Sequence, residues 1–135
     1  MRSKIAFLTL ALLFLLQAVL PSDALAKRRD RWEMLGTRTV TDRVDHDTIA
    51  AGRQGTFRAL KIRVEGRAVQ FRDVKIHFAN GDKQDVALRN VIPAGGESRV
   101  IDIEGRDRAV RNIDVWYDTQ SLAGRRAVVK VYGLN

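Results

Sequence analysis

Cysteine occurs nowhere in the 135 residues. That excludes a lipid-modified cysteine, a disulfide framework and any thiolate chemistry. Proline occurs twice, at Pro21 and Pro93, and no stretch beyond residue 27 sustains a 3.6-residue apolar period, so amphipathic helices are not expected there. Serine is scarce after position 27: only Ser98 and Ser121 remain, and neither lies in a Gly-x-Ser-x-Gly setting. Two histidines, His46 and His77, neighbour no serine in sequence, which leaves a nucleophile–base pair without a local signature. The glycine-rich Ala94-Gly-Gly-Glu97 lacks the lysine and the following helix of a phosphate loop. No two carboxylates are singled out as a glycosidase pair. A small domain also offers little room for a deep cleft, and the chain reads as a non-enzyme.

What is present begins with an export signal. Met1-Arg-Ser-Lys4 gives a positive start, and Ile5 to Leu20 is apolar except for Thr9 and Gln17. Ala24-Leu25-Ala26 then places small residues at the two positions a signal peptidase inspects. The apolar run of 16 residues is short for a membrane span, which needs about 20 helical residues. Lys27-Arg28-Arg29, just past the cut, is the one feature that opposes translocation. The expectation is a cleavable signal over residues 1–26 and one domain over 27–135. That domain would be periplasmic or secreted, with no transmembrane span after cleavage. Without disulfides it must rely on its core, and roughly 110 residues can bury enough surface for one domain.

The tag holds Arg2, Lys4 and Asp23, which leaves 22 basic and 15 acidic side chains beyond it, a net of +7. Seventeen of those bases are arginine. Such a surface suits acidic partners: an anionic glycan, lipopolysaccharide or another envelope protein. The bases are interleaved with acids, however, and only Lys27–Arg31 is a true basic run. Much of the charge can therefore be spent on internal ion pairs. Nucleic acid is disfavoured by location, despite the basic balance.

Period-two alternation dominates the rest. Leu60, Ile62 and Val64 alternate with Lys61, Arg63 and Glu65, and Val69 and Phe71 continue the pattern. Val74, Ile76 and Phe78 then repeat it on the opposite parity, which marks Arg72-Asp73 as a β-bulge. Further inward pairs are Val86 with Leu88 and Ile101 with Ile103, followed by Ile113, Val115 and Tyr117 and by Ala127, Val129 and Val131. A type I′ turn at Asn80-Gly81 would set Phe78 and Ile76 opposite Lys83 and Asp85. A loop of three residues or more, with a bulge, instead matches Ile76 with Val86 or Gln84 and keeps the faces consistent. Pro93-Ala-Gly-Gly96 and Gly105-Arg-Asp-Arg108 carry turn chemistry. Parity also predicts a terminal hairpin pairing Tyr117 with Ala127, Val115 with Val129 and Ile113 with Val131, and on the other face Asp114 with Lys130 and Trp116 with Val128. Between Arg38 and Ile49 the signals are mixed: Thr39, Val40 and Val44 suit a strand, Asp42, Asp45 and Asp47 a loop. The expected fold is all-β: an antiparallel two-sheet sandwich, jelly-roll or immunoglobulin-like, of 7–9 short strands.

The order Trp32-x-x-Leu35-Gly36, Phe57-Arg-Ala-Leu60, Asn80-Gly81, Ile92-Pro-Ala-Gly-Gly96, Gly105-Arg-Asp-Arg108, Ile113-Asp-Val-Trp-Tyr117 and Val131-Tyr-Gly133 resembles a family of small exported bacterial proteins. That family is catalogued as a domain of unknown function. The resemblance implies export and a compact β-domain, and carries no activity, ligand or catalytic residue.

Candidate site residues follow from chemistry alone. Trp116 and Tyr132 fall on polar strand faces beside Asp114 and Lys130, where aromatic rings can stack on sugars. Alternatively the Trp32–Leu35 segment or a loop covers Trp116 in a second small core. Arg106, Asp107, Arg108 and Arg111 can form an anion-binding loop of guanidinium forks, unless Asp107 simply holds the turn and pairs with a neighbouring arginine. Asp42, Asp45 and Asp47, with His46 between them, are candidate calcium ligands, although acids in a loop usually just solvate it. His77 sits on the solvent parity of its strand. Three roles fit: a binding or accessory module for an anionic envelope component or partner protein, a purely structural domain, or a calcium-dependent carbohydrate-binding module.

Overall fold

The computed structural model describes residues 31–43, 45–52, 55–118 and 122–135. The expected signal peptide, Val44 and Ser121 lie outside the described residues. The described residues form nine strands: β1 (Trp32–Val40), β2 (His46–Ala50), β3 (Ala59–Glu65), β4 (Val69–Phe78), β5 (Lys83–Val86), β6 (Val91–Ile92), β7 (Ile101–Asp102), β8 (Val110–Asp118) and β9 (Ala127–Leu134). One sheet has the order β1-β9-β3-β7, the other β2-β8-β4-β5 with β6 also on β4, and every pairing is antiparallel. Among the described residues there is no α-helix. The all-β, two-sheet sandwich follows directly from the alternation.

The inward rows supply the core. Leu60, Ile62, Val64, Val129 and Val131 of the first sheet are buried, as are Phe71, Val74, Ile76, Ile113, Val115 and Tyr117 of the second. Each fully buried side chain of this size contributes about 1.5–3 kcal/mol relative to exposure. One polar group in that interior is a phenol. The Tyr117 hydroxyl donates to Asp47 Oδ2 at 2.8 Å, and Asp47 in turn meets Arg38 Nε at 3.4 Å. Burial first, then the Asp47 carboxylate, pushes the phenol well above its ordinary value of 10.0.

The β4 bulge stands where the parity slips. Phe71 pairs with Tyr117 and Asp73 with Trp116, which leaves Arg72 as the extra residue. The β4–β5 connection is a three-residue loop, with Phe78 N–H bonded to the Asp82 carbonyl at 2.9 Å and Ile76 opposite Gln84. Gly81 takes φ 95° there, as a bulged hairpin demands.

The terminal hairpin is not formed. β8 pairs with β2 and β4, whereas β9 pairs with β1 and β3 in the other sheet. Ile113 thus lies opposite Ile49 and Ile76, Val129 opposite Arg38 and Val64, and Asp114 opposite Thr48 and Lys75 rather than Lys130. The physical reason is symmetry of the pattern. Two strands facing one core from opposite sheets show the same alternation as two strands paired within a sheet, so parity cannot separate a hairpin from a crossover. Asp42 falls in the β1–β2 turn and Asp45 directly before β2, while Asp47 is within β2.

Small residues fix two close approaches. A Cβ on Gly133 would lie 2.6 Å from Phe57 Cδ1, and one on Gly36 would collide with the Ala50 carbonyl oxygen. Gly36 adjoins a bulge in β1 between Met34 and Gly36, which brings β1 against the start of the second sheet.

Candidate ligand-binding faces

The outward residues of β2, β8, β4 and β5 form aligned rows on the second sheet. His46, Trp116 and Asp73 make one row, Thr48, Asp114, Lys75 and Asp85 the next, and Ala50, Asn112, His77 and Lys83 a third. Trp116 is half-buried at the end of this array. His46 stacks on one face of its ring, centroids 4.5 Å apart and planes 18° from parallel. Lys75 Nζ lies 5.9 Å from the ring centroid, within cation–π reach. An open groove of about 550 Å³ runs beside the indole, edged by Lys75, Asp85, Arg89 and Asp73. Its charged groups hold one another loosely, with Lys75–Asp85 at 3.6 Å and Arg89–Asp73 at 3.7 Å.

Asp114 organises the floor. Its Oδ1 accepts from the Thr48 hydroxyl at 2.6 Å and its Oδ2 lies 2.7 Å from His77 Nε2. His46 Nε2 lies 3.7 Å from Asp114 Oδ1 and has no hydrogen-bond partner. Burial works against the charged carboxylate, yet the Thr48 and His77 bonds outweigh it and hold the group below its ordinary 3.8. His46 is held in this array by its stack on Trp116 rather than by a hydrogen bond to Asp114.

Trp116 is not covered by the Trp32–Leu35 segment, which is the start of β1 in the other sheet. Tyr132 does not share a face with Trp116 either. It lies opposite Met34 and Lys61 on the outer side of the first sheet, where Lys61 Nζ sits 4.4 Å from the Trp32 ring centroid. That sheet carries a closed set of ion pairs. Lys130 Nζ meets Glu65 at 2.9 Å, Arg63 meets Glu65 at 3.2 Å and Lys61 meets Glu97 at 3.3 Å. The Lys130 bond first, aided by Arg63, holds the Glu65 carboxyl below its ordinary 4.5.

The arginine loop divides. Arg108 turns away from it: Nη2 donates to Asp82 Oδ2 at 2.8 Å and to Asn80 Oδ1 at 3.1 Å, and the guanidinium lies 3.8 Å from the Phe78 ring centroid. Asn80 and Arg108 together lower the Asp82 pKa. Among the described residues the Arg111 side chain reaches only its neighbour, Nε to Asn112 Oδ1 at 3.3 Å. Arg106 and Asp107 line a different groove, against β3 and β7, and Asp107 pairs with no arginine among the described residues. The four side chains therefore do not converge with Trp116. Of the acid trio, Asp47 is committed to Tyr117 and Arg38, and the Asp45 carbonyl accepts from Tyr117 N–H at 3.1 Å. Asp42 lines a separate pocket with Arg43, Arg125 and Arg126. No group of three His, Cys, Asp or Glu among the described residues is placed to hold a metal ion. No helix among them is long and apolar enough to cross a membrane.

Sequence reasoning missed the His46–Asp114–His77 cluster. Alternation marks each residue as outward, but only the strand order β2-β8-β4 brings them together. A family model described as a domain of unknown function (DUF2541) matches residues 7–133. The chain belongs to that family. No curated protein matches this DUF2541 chain. Among solved structures it is similar to AlgX of Pseudomonas aeruginosa, at TM-score 0.50 and 12% identity over 76% of this chain and 26% of AlgX. It thus spans about a quarter of AlgX, and the likeness concerns the fold alone. Weaker matches are the SPBc2 prophage-derived protein YomS (TM-score 0.44, 16% identity, 78% of this chain and 93% of that one) and a CBM29-2 mutant complexed with cellulohexaose. The latter gives TM-score 0.38 and 8% identity over 78% of this chain and 92% of that one.

Proposed function

We propose that this chain is an exported, non-enzymatic binding module that holds an anionic glycan of the cell envelope on the outer face of its second sheet. The carrying observation is the Trp116 indole, braced on one face by His46 and bordered by a groove whose rim holds Lys75 and Arg89. An aromatic ring stacks on the apolar face of a sugar, and the two cations meet acidic substituents by trading weak surface pairs for charge-assisted ones. A preset ring loses little freedom on binding. The net positive charge beyond the leader draws such a ligand to the surface.

Catalysis is not part of the reading. The Ser98 hydroxyl is spent on backbone: it accepts from Ile62 N–H at 2.9 Å and donates to the Arg99 carbonyl at 2.8 Å. The histidines face Asp114 on the other sheet. Periplasmic or secreted placement belongs to the same proposal and rests on the leader at residues 1–26. Fractionation with N-terminal sequencing tests it, and a chain that keeps Met1 in the cytoplasm refutes it.

The binding test uses Trp32→Phe, so that Trp116 is the sole emitter. Titration with acidic oligosaccharides or lipopolysaccharide should change its emission saturably, and added salt should weaken the effect. Neutral oligosaccharides should bind more weakly, and Lys75→Ala with Arg89→Ala should remove the difference. An emission unmoved by every acidic glycan rejects the proposal.

A further inference from the structure

The groove against β3 and β7 differs from the rest of the surface in how its charges are used. It holds about 530 Å³, within the range of small-ligand sites. Arg58 and Arg106 line it together with Asp102 and Asp107, and Val100 and Leu134 form an apolar strip. Elsewhere on the surface the acids are largely paired with bases. In this groove the Arg106 guanidinium and the Asp102 and Asp107 carboxylates form no ion pair or hydrogen bond among the described residues. Opposite charges share one small space without neutralising each other. Val100 is 51% exposed, one of the few large apolar side chains left in water.

The backbone displays these groups at a cost. Gly105, Arg106 and Asp107 take φ 85°, 53° and 44°, so two consecutive non-glycine residues lie in the left-handed region. Such conformations persist only where the surroundings impose them. Arg108 does so, through its pair with Asp82 at 2.8 Å and its place over Phe78. The ladder between Phe57 and Arg108 closes the other side, with both N–H···O bonds at 3.0 Å. The loop is latched by one arginine and presents the other.

We infer that this groove is a second binding site, for a short zwitterionic peptide with apolar side chains and both ends free. Its carboxylate meets the Arg106 fork, its ammonium meets the rim of Asp102 and Asp107, and its side chains lie on Val100 and Leu134. The uncommitted opposite charges select a ligand carrying both, and Val100 and Leu134 in the same groove select its side chains. This site is independent of the Trp116 face, which belongs to the other sheet.

The test titrates the purified chain with Leu-Leu, N-acetyl-Leu-Leu and Leu-Leu amide, followed by calorimetry and by amide shifts in NMR. Leu-Leu should shift Val100, Arg106 and Leu134 saturably, and blocking either end should weaken binding about tenfold or more, since each block removes a charged contact. Arg106→Gly relieves the positive φ, so its Tm should hold or rise while affinity falls by a similar factor. Asp102→Asn with Asp107→Asn should make the free and acetylated peptides equivalent. Trp116→Ala should leave all of this unchanged. The inference is overturned if the three peptides bind alike, if Arg106→Gly binds as the parent does, or if millimolar Leu-Leu shifts none of these amides.

Discussion

Gln84 is a buried polar side chain on the inward parity of β5, 7% exposed, and it ties the two sheets together at one edge. Its Nε2 donates to the Asp102 carbonyl at 2.9 Å, and its Oε1 accepts from Glu104 N–H at 2.9 Å. The side chain thus serves as a strand for the segment after β7, satisfying one acceptor and one donor. Gln84→Ala removes both bonds and leaves a void. An orphaned buried group costs about 1–3 kcal/mol, and water reaching the exposed residues Asp102 and Glu104 returns part of that. The expected loss is about 3 kcal/mol, which for a domain of this size lowers Tm by roughly 12–24 °C. Gln84→Met keeps the length without the polar atoms and separates the bonds from the void. It should lose at least half as much. Chemical denaturation gives the free energies, and hydrogen exchange should show the Glu104 amide losing protection before the core. A Gln84→Ala chain within 0.5 kcal/mol of the parent, which is about the scatter of a neutral surface change, would refute the reasoning. So would an unchanged Glu104 amide.

Three further outcomes follow from packing and charge. Gly133→Ala places a methyl against the Phe57 ring, 2.6 Å from Cδ1, and should cost about 1–3 kcal/mol by overpacking; a companion Phe57→Leu change should recover part of the loss in a thermal melt. Asp114 has a folded pKa below its ordinary 3.8, so its contribution is complete above the unfolded value near 3.9 and is lost as pH falls through the depressed folded value. Asp114→Asn should therefore flatten the acid limb of a stability–pH curve and leave its slope above pH 5 unchanged, as a denaturation series would show. Tyr117 has a raised pKa; the contribution of its protonated phenol is complete below the unfolded value near 10 and is lost as pH climbs from there toward the raised folded value. Ultraviolet titration should find a phenol that ionises only with unfolding, and Tyr117→Phe should abolish that component.

The strands were legible because burial imposes one rule on every inward residue. Leu60, Ile62 and Val64 could be read as one face without knowing a neighbour, and Arg72 betrayed its bulge by reversing that face. The three-residue turn at Asn80-Gly81 followed from the same constraint, since the shorter turn would have set Ile76 against Asp85. Strand partners were not legible. β8 and β9 obey identical parity while belonging to different sheets, and nothing local distinguishes Val115 opposite Val129 from Val115 opposite Val74. The candidate sites inherited that blindness. Trp116 was visible as an outward aromatic, but its partner His46 comes from β2. Only the hairpin that does not form would set Tyr132 on one face with Trp116. Arg106 and Arg108 are two positions apart, yet positive φ values between them send one into a groove and the other onto Phe78.

The most direct test of a glycan-binding second sheet is the indole N–H spectrum of the unmodified chain. Trp32 and Trp116 lie on different sheets and give separate signals. Titration with an acidic oligosaccharide should move the Trp116 resonance and the amides of Lys75 and Arg89 along one saturation curve, with Trp32 unmoved. A Trp116 signal that stays fixed while Trp32 and Tyr132 shift would place binding on the first sheet and contradict the account.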